Sequence, residues 1–175
     1  MKKLLITAVI CSMGFLLSAQ KQDSKDEAFV KEAAEGGVME VKLGELAKSK
    51  GSSQEIKTLG QHMFTDHSKA NEELKALAAK KNMVLPTGLS KEGQKNYDEL
   101  SKKSGEDFDK AYAKMMVEDH EKDIKKFKKE AEKGEDPEFK SWASKTLPTL
   151  EHHLDMAKKA HDNLKNTNSS VSKKD

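Results

Sequence analysis

Residues 63–69 read MFTDHSK and residues 116–122 read MVEDHEK, with the same Met, Asp, His and Lys in the same places. Both stretches lie inside long segments of helical periodicity. Residues 53–81 carry Ile56, Leu59, Met63, Ala70, Leu74 and Leu77 on one stripe, and residues 105–133 carry Phe108, Tyr112, Met115, Met116, Ile124 and Phe127 on another. Between them, residues 82–104 contain Pro86 and Gly88 and leave room only for a short helix around Leu89–Leu100. Duplication of a helical hairpin would account for the repeated Asp-His pair. So would two histidines that face each other across a core.

On either side of this pair the chain supplies two more helices. Residues 26–50 place Phe29, Ala33, Gly36, Leu43 and Ala47 on one face, Gly51 ends that helix, and Ser52-Ser53-Gln54-Glu55 offers a capping box for the next. Asp136-Pro137-Glu138 is an N-cap followed by proline at the first helical position, and it starts a helix that runs to about Lys165. Pro148 lies inside that helix and is expected to kink or split it. No segment reads as a strand. Two short turns and one long connection predict an all-α fold, a ferritin-like four-helix bundle over residues 26–166 with a long crossover between helices two and three. Such a crossover makes those helices parallel and lays the repeated segments side by side.

The N-terminus reads MKKLLITAVICSMGFLLSAQ: two lysines, an apolar run from Leu4 to Leu17, and the small pair Ser18-Ala19. That is the order of a secretory signal, and the run falls short of the roughly 18 residues a membrane span needs. Residues 1–19 are therefore expected to be a signal peptide, 20–25 a flexible lead and 167–175 a disordered tail. The expected location is periplasmic or secreted, with no stable membrane insertion after cleavage. Cys11 would leave with the signal, so the mature chain has no thiolate ligand, nucleophile or disulfide.

Cleavage also removes Lys2 and Lys3, which leaves 30 basic against 30 acidic residues, and no arginine occurs anywhere. Nucleic-acid binding is not expected, because phosphate recognition calls for a basic excess and bidentate arginine. The many Lys and Glu residues read as solvated helix faces, consistent with a monomer or weak dimer.

Phase around each helix selects a set of inward polar groups. Glu40 falls in the middle of the first apolar face, His67 between Met63, Ala70 and Leu74, His120 with Met116, Ile124 and Phe127, and His153 with Leu150, Ala157 and Leu164. His62 and His152 point away, and His161 lies at the edge of its face. Counted from the turns, the four inward groups agree in level to roughly one helical turn, ~5 to 6 Å. An ionised group buried alone costs several kcal/mol, so each must be neutral, paired or bound to a cation. Two readings satisfy this. In one, Glu40, His67, His120 and His153 bind a transition metal, with Asp66 and Asp119 beside them as outer partners or extra ligands. In the other, the same groups close a structural Glu-His-Asp network inside a non-catalytic envelope, stress-protective or partner-binding bundle. Imidazole plus carboxylate suits Zn, Fe, Mn or Cu, and the nearby thioethers of Met63, Met116 and Met156 would favour Cu(I).

With these residues in view, the chain resembles the bacterial ferritin-like family known as domain of unknown function 4142. The resemblance is carried by FVKEAAEGGVMEVKLGELA (29–47), MFTDHSKANEELKALA (63–78) with LP after it, FDKAYAKMMVEDHEKDIKKF (108–127) and LPTLEHHLDMA (147–157). It implies an exported helical bundle whose polar positions are Glu40, Asp66-His67, Asp119-His120 and His153, and it implies no particular reaction. Di-iron ferritins use a Glu on two helices and Glu-x-x-His on the other two. Here Leu150 precedes His153 by three and Phe64 precedes His67 by three, which argues against ferroxidase chemistry and bulk iron storage.

The signal reading predicts that the native protein begins at Gln20, measurable by intact mass. A full-length form starting at Met1 and retained in membranes would contradict it.

Overall fold

The computed structural model describes residues 25–171, with side chains to residue 166. The expected signal, nearly all of the lead and the last four residues lie outside it. Five helices make up this region: α1 (Lys25–Lys50), α2 (Gln54–Lys80), α3 (Lys91–Ser101), α4 (Gly105–Lys133) and α5 (Pro137–Val171). No strand occurs among the described residues. None of these helices is long and apolar enough to cross a membrane.

The ends of the helices follow local chemistry. Ser53 caps α2 by accepting a hydrogen bond from the Ile56 N–H at 3.3 Å, and Ser90 caps α3 by accepting from the Gly93 N–H at 3.1 Å. At the end of α2, Asn82 adopts φ 54°. Its N–H reaches Ala79 O at 3.1 Å and the Met83 N–H reaches Ala78 O at 3.0 Å, a Schellman closure that asparagine tolerates. Asp136 caps α5 through the Glu138 and Phe139 N–H groups.

Of the kink or split expected at Pro148, the split does not occur, since α5 runs through it as one helix. Its missing N–H costs one backbone bond, while Trp142, Ala143 and Leu150 on either side are all buried and hold the two segments in one helix. Thr146 Oγ1 also donates to Trp142 O at 2.8 Å, giving a carbonyl in the segment before the proline a second donor. The helix continues to Val171, five residues into the stretch expected to be a tail.

Hairpins α1–α2 and α4–α5 each pack closely within themselves, α2 lies against α5, and α1 against α4, with α3 laid over α1 and α4. Near the turn of the first hairpin the backbones nearly touch. A Cβ on Gly44 would come within 2.8 Å of Gly60 O, and one on Gly60 within 2.8 Å of Gly44 O, so neither position admits a side chain.

Two buried aspartates lock the hairpins to one another. Asp109, near the start of α4, accepts from the N–H groups of Ser52 and Ser53 and from the Ser52 hydroxyl, each at 2.8 Å. Asp26, near the start of α1, accepts from the Glu135 N–H at 3.0 Å and the Asp136 N–H at 2.6 Å. Each hairpin's turn is thus held by the other hairpin's first helix, and the spacing is the same: Asp26 to Gly51-Ser52-Ser53 repeats 83 residues later as Asp109 to Gly134-Glu135-Asp136. It follows that α4 starts where α1 ends. Helices α2 and α4 therefore run parallel, as the crossover requires, but they meet across the core and do not lie side by side.

Removing Asp109 would leave the part-buried N–H groups of Ser52 and Ser53 without their acceptor, at up to about 1 kcal/mol for each bond lost. We expect Asp109→Ala and Asp26→Ala each to lower the urea midpoint with an unchanged slope. A midpoint unchanged in both variants would show that the locks contribute nothing.

Candidate metal centre

The hydrophobic core is divided in two. One cluster holds Leu43, Ile56, Met63, Phe108, Tyr112, Met116 and Ala157 among others. The second holds Val30, Ala34, Leu74, Ile124, Phe127, Trp142 and Leu150. On every long helix one polar residue separates the two: Glu40 on α1, His67 on α2, His120 on α4 and His153 on α5, all buried. The α1 stripe expected from Phe29, Ala33 and Gly36 is one residue out of phase at its start, since Val30, Ala34 and Gly37 face the interior. Both ladders of three- and four-residue steps reach Glu40 and Ala47, so the reading of Glu40 as inward survived the slip.

The three histidines come together. His67, His120 and His153 each offer a ring nitrogen such that the three atoms lie within 4.8 Å of one another. Their ring centroids are 5.3 to 5.6 Å apart. Glu40, Asp66 and Asp119 fall outside that group. Asp66 Oδ2 lies 2.9 Å from His153 Nε2, on the solvent side of α2 and α5. Asp119 is paired with Lys122 at 3.5 Å and lines an acidic cavity of about 270 Å³ between α1, α3 and α4. Glu40 is completely buried, and neither of its carboxylate oxygens has a hydrogen-bond partner.

Burial sets the protonation of the layer. Desolvation first, then the neighbouring His120 and His153, push the His67 ring well below the usual histidine range. His120 is lowered to about 3, again chiefly by burial and then by His153. His153 is lowered by burial against the opposing pull of Asp66. All three rings are therefore neutral at physiological pH. Glu40 moves the other way: burial, then Asp119 and Asp123, raise its carboxyl well above the ordinary value. The Tyr112 phenol is raised by burial and then by Glu40.

The tautomers follow from the partners. His120 Nδ1 lies 2.9 Å from the Met116 carbonyl oxygen, which can only accept, so the proton is on Nδ1 and Nε2 is bare. His153 Nε2 lies 2.9 Å from a carboxylate oxygen of Asp66, so the proton is on Nε2 and Nδ1 is bare. The two bare nitrogens face each other at 3.3 Å. Neither has a proton to donate, and at this distance their lone pairs repel unless a cation lies between them. His67 Nε2 is buried there as well, with no partner. Tetrahedral coordination with metal–nitrogen bonds of about 2.0–2.1 Å spaces its ligand atoms by about 3.3–3.4 Å. The three histidines could form a metal site.

Sequence reasoning missed two members of the neighbourhood. Tyr112 reads as an apolar stripe residue, but its hydroxyl is buried without a partner. Asp123, raised to about 6 chiefly by burial, stands 83 residues after Glu40, and that spacing was the available signal.

An all-helical protein with a buried cluster of three neutral histidines defines the class. The chain belongs to the family described as domain of unknown function (DUF4142), whose profile matches residues 16–160. Among solved structures it is similar to a DUF305 fragment from Deinococcus radiodurans, with a TM-score of 0.69, 11% identity, and coverage of 80% of this chain and 97% of that one. At that identity the likeness concerns the fold. No curated protein shows a significant match.

The Glu40 environment carries a signed prediction. Because its folded-state pKa is raised, the unfolded chain ionises first as pH rises, and stability is lost as pH climbs from about 4.5 through the folded value. We expect Glu40→Gln to melt higher than wild type at pH 7.5 in metal-free protein, with the difference closing towards pH 4.5. Equal melting at both pH values would mean that Glu40 finds a partner in solution.

Proposed function

We propose that this protein is an exported four-helix bundle of ferritin-like type that binds one transition-metal ion through His67, His120 and His153. The observation that carries the reading is the pair of bare nitrogens, His120 Nε2 and His153 Nδ1, 3.3 Å apart in a buried layer. A closed structural network would set a proton between them, whereas here both protons are engaged on the outer sides of the rings. The His67 nitrogen and both Glu40 oxygens point the same way, since each is a buried polar atom left without a partner. Such atoms cost roughly 1–3 kcal/mol apiece, and a bound cation would offset that cost. Support for the ferritin-like topology comes from the long connection between α2 and α4 and from their parallel course. The periplasmic or secreted location rests on the signal sequence.

In this reading Asp66 orients His153 and raises the donor strength of its Nδ1, as carboxylate partners of metal-bound histidines do. Glu40, whose raised carboxyl would ionise as the ion enters, would balance the ion's charge, and Asp119 lines the acidic cavity. Three imidazoles with no thiolate suit Zn, Cu or Fe better than Mn. Since the rings are already neutral, the proton that metal uptake displaces comes from the Glu40 carboxyl, which burial keeps raised in the metal-free protein.

Protein isolated from the periplasm without exposure to a nickel column should carry near-stoichiometric metal by elemental analysis, and added metal should raise its melting temperature. His67→Ala with His120→Ala should abolish both effects. Metal-free wild type that takes up none of Zn, Cu, Fe or Mn would leave the structural network as the better account.

A further inference from the structure

We propose that His62, Asp66 and His152 form a second, solvent-facing cation site that loads the buried histidines. This rests on the reading of the inner trio as a metal site. Asp66 Oδ2 accepts from His153 Nε2–H at 2.9 Å and lies 3.8 Å from His62 Nδ1. One carboxylate oxygen thus borders the buried layer on one side and an outer histidine on the other. The side chains of His62 and Asp66 are 44% and 34% exposed. His152, the neighbour of His153 on α5, is exposed, and its ring meets that of His62 edge-on with centroids 6.1 Å apart.

The surroundings make this patch unusual for the chain. Several carboxylates elsewhere on the surface pair with lysine, as Glu106 does with Lys110, Glu121 with Lys158 and Glu151 with Lys128. Among the described residues Asp66 pairs only with histidines. Two imidazoles and one carboxylate are a ligand set for divalent first-row metals. The ring centroids of His62 and His152, 6.1 Å apart against 5.3 to 5.6 Å among the inner rings, and the exposure of both side chains make this the looser set, so the site holds an ion weakly. Weak retention suits a transfer step: an ion held against Asp66 is one carboxylate away from His153, and the inner site, with three converging nitrogens, binds it more tightly.

The rival entrance is the acidic cavity on the other side of the molecule, lined by Glu32, Glu35, Glu92, Asp119 and Asp123. Its lysines partly neutralise it, with Lys126 2.9 Å from Glu32 and Lys122 3.5 Å from Asp119.

Stopped-flow uptake of Zn²⁺ from a weak chromophoric chelator by the metal-free mature chain separates the routes. Wild type, His62→Ala/His152→Ala and Glu35→Gln/Glu92→Gln are compared for rate and for final occupancy. We expect all three to reach the same one-ion occupancy, with the histidine variant loading slower by roughly tenfold or more and the glutamate variant at the wild-type rate. A histidine variant that loads as fast as wild type, or a slow glutamate variant, overturns the outer site while the inner site stands. No zinc bound by wild type at equilibrium overturns both.

Discussion

Two ring nitrogens that both present lone pairs, 3.3 Å apart in a buried layer, are the constraint on which the rest of the structure depends. Their protons are drawn outwards, one by the Met116 carbonyl and one by Asp66. The rings could relieve the repulsion by moving apart, but each long helix has apolar side chains buried above and below its polar residue, and close packing resists such a shift. The protein holds neutral donors in converging positions at a cost in stability. A bound cation would turn that cost into affinity, because the ligands are already oriented and deprotonated before it arrives.

The architecture that enforces this is a pair of hairpins clasped by reciprocal aspartates. Asp26 and Asp109 are equivalent, as are the turns they bind, at a separation of 83 residues. That equivalence matches α1 with α4 and α2 with α5, so His67 corresponds to Leu150, and Ala70 to His153. Duplication of a hairpin therefore does not align MFTDHSK with MVEDHEK. The repeated Asp-His pair arises because α2 and α4 run parallel and bring a histidine to the same level from opposite corners. In one copy the Asp turns outward to α5 and orients His153; in the other Asp119 faces the acidic cavity.

Much of this was legible in the sequence because the signals were periodic or local. The helix expected at about residues 105–133 is Gly105–Lys133, since the stripe along it is unbroken and Gly134 ends it. The inward positions of His67, His120 and His153 followed from phase alone. The lock formed by Asp109 did not, because Ser52 looked like part of a capping box while its hydroxyl and N–H were committed to a residue 57 positions away. Pro148 shows the same limit, since a local rule for breaking helices was outweighed by burial on both sides. Tautomers were also out of reach. They depend on which acceptor each ring meets, and a carbonyl four residues back and a carboxylate 87 residues away are settled only by packing.

The most direct test is long-range nitrogen–proton NMR of the histidine rings in metal-free protein at neutral pH. The account predicts neutral rings, with His120 protonated at Nδ1 and His153 at Nε2, and it predicts that His120 Nε2, His153 Nδ1 and one nitrogen of His67 shift together when one equivalent of zinc is added. A proton on His120 Nε2 or His153 Nδ1, in rings that zinc leaves unchanged, would contradict it and make the layer a closed hydrogen-bond network.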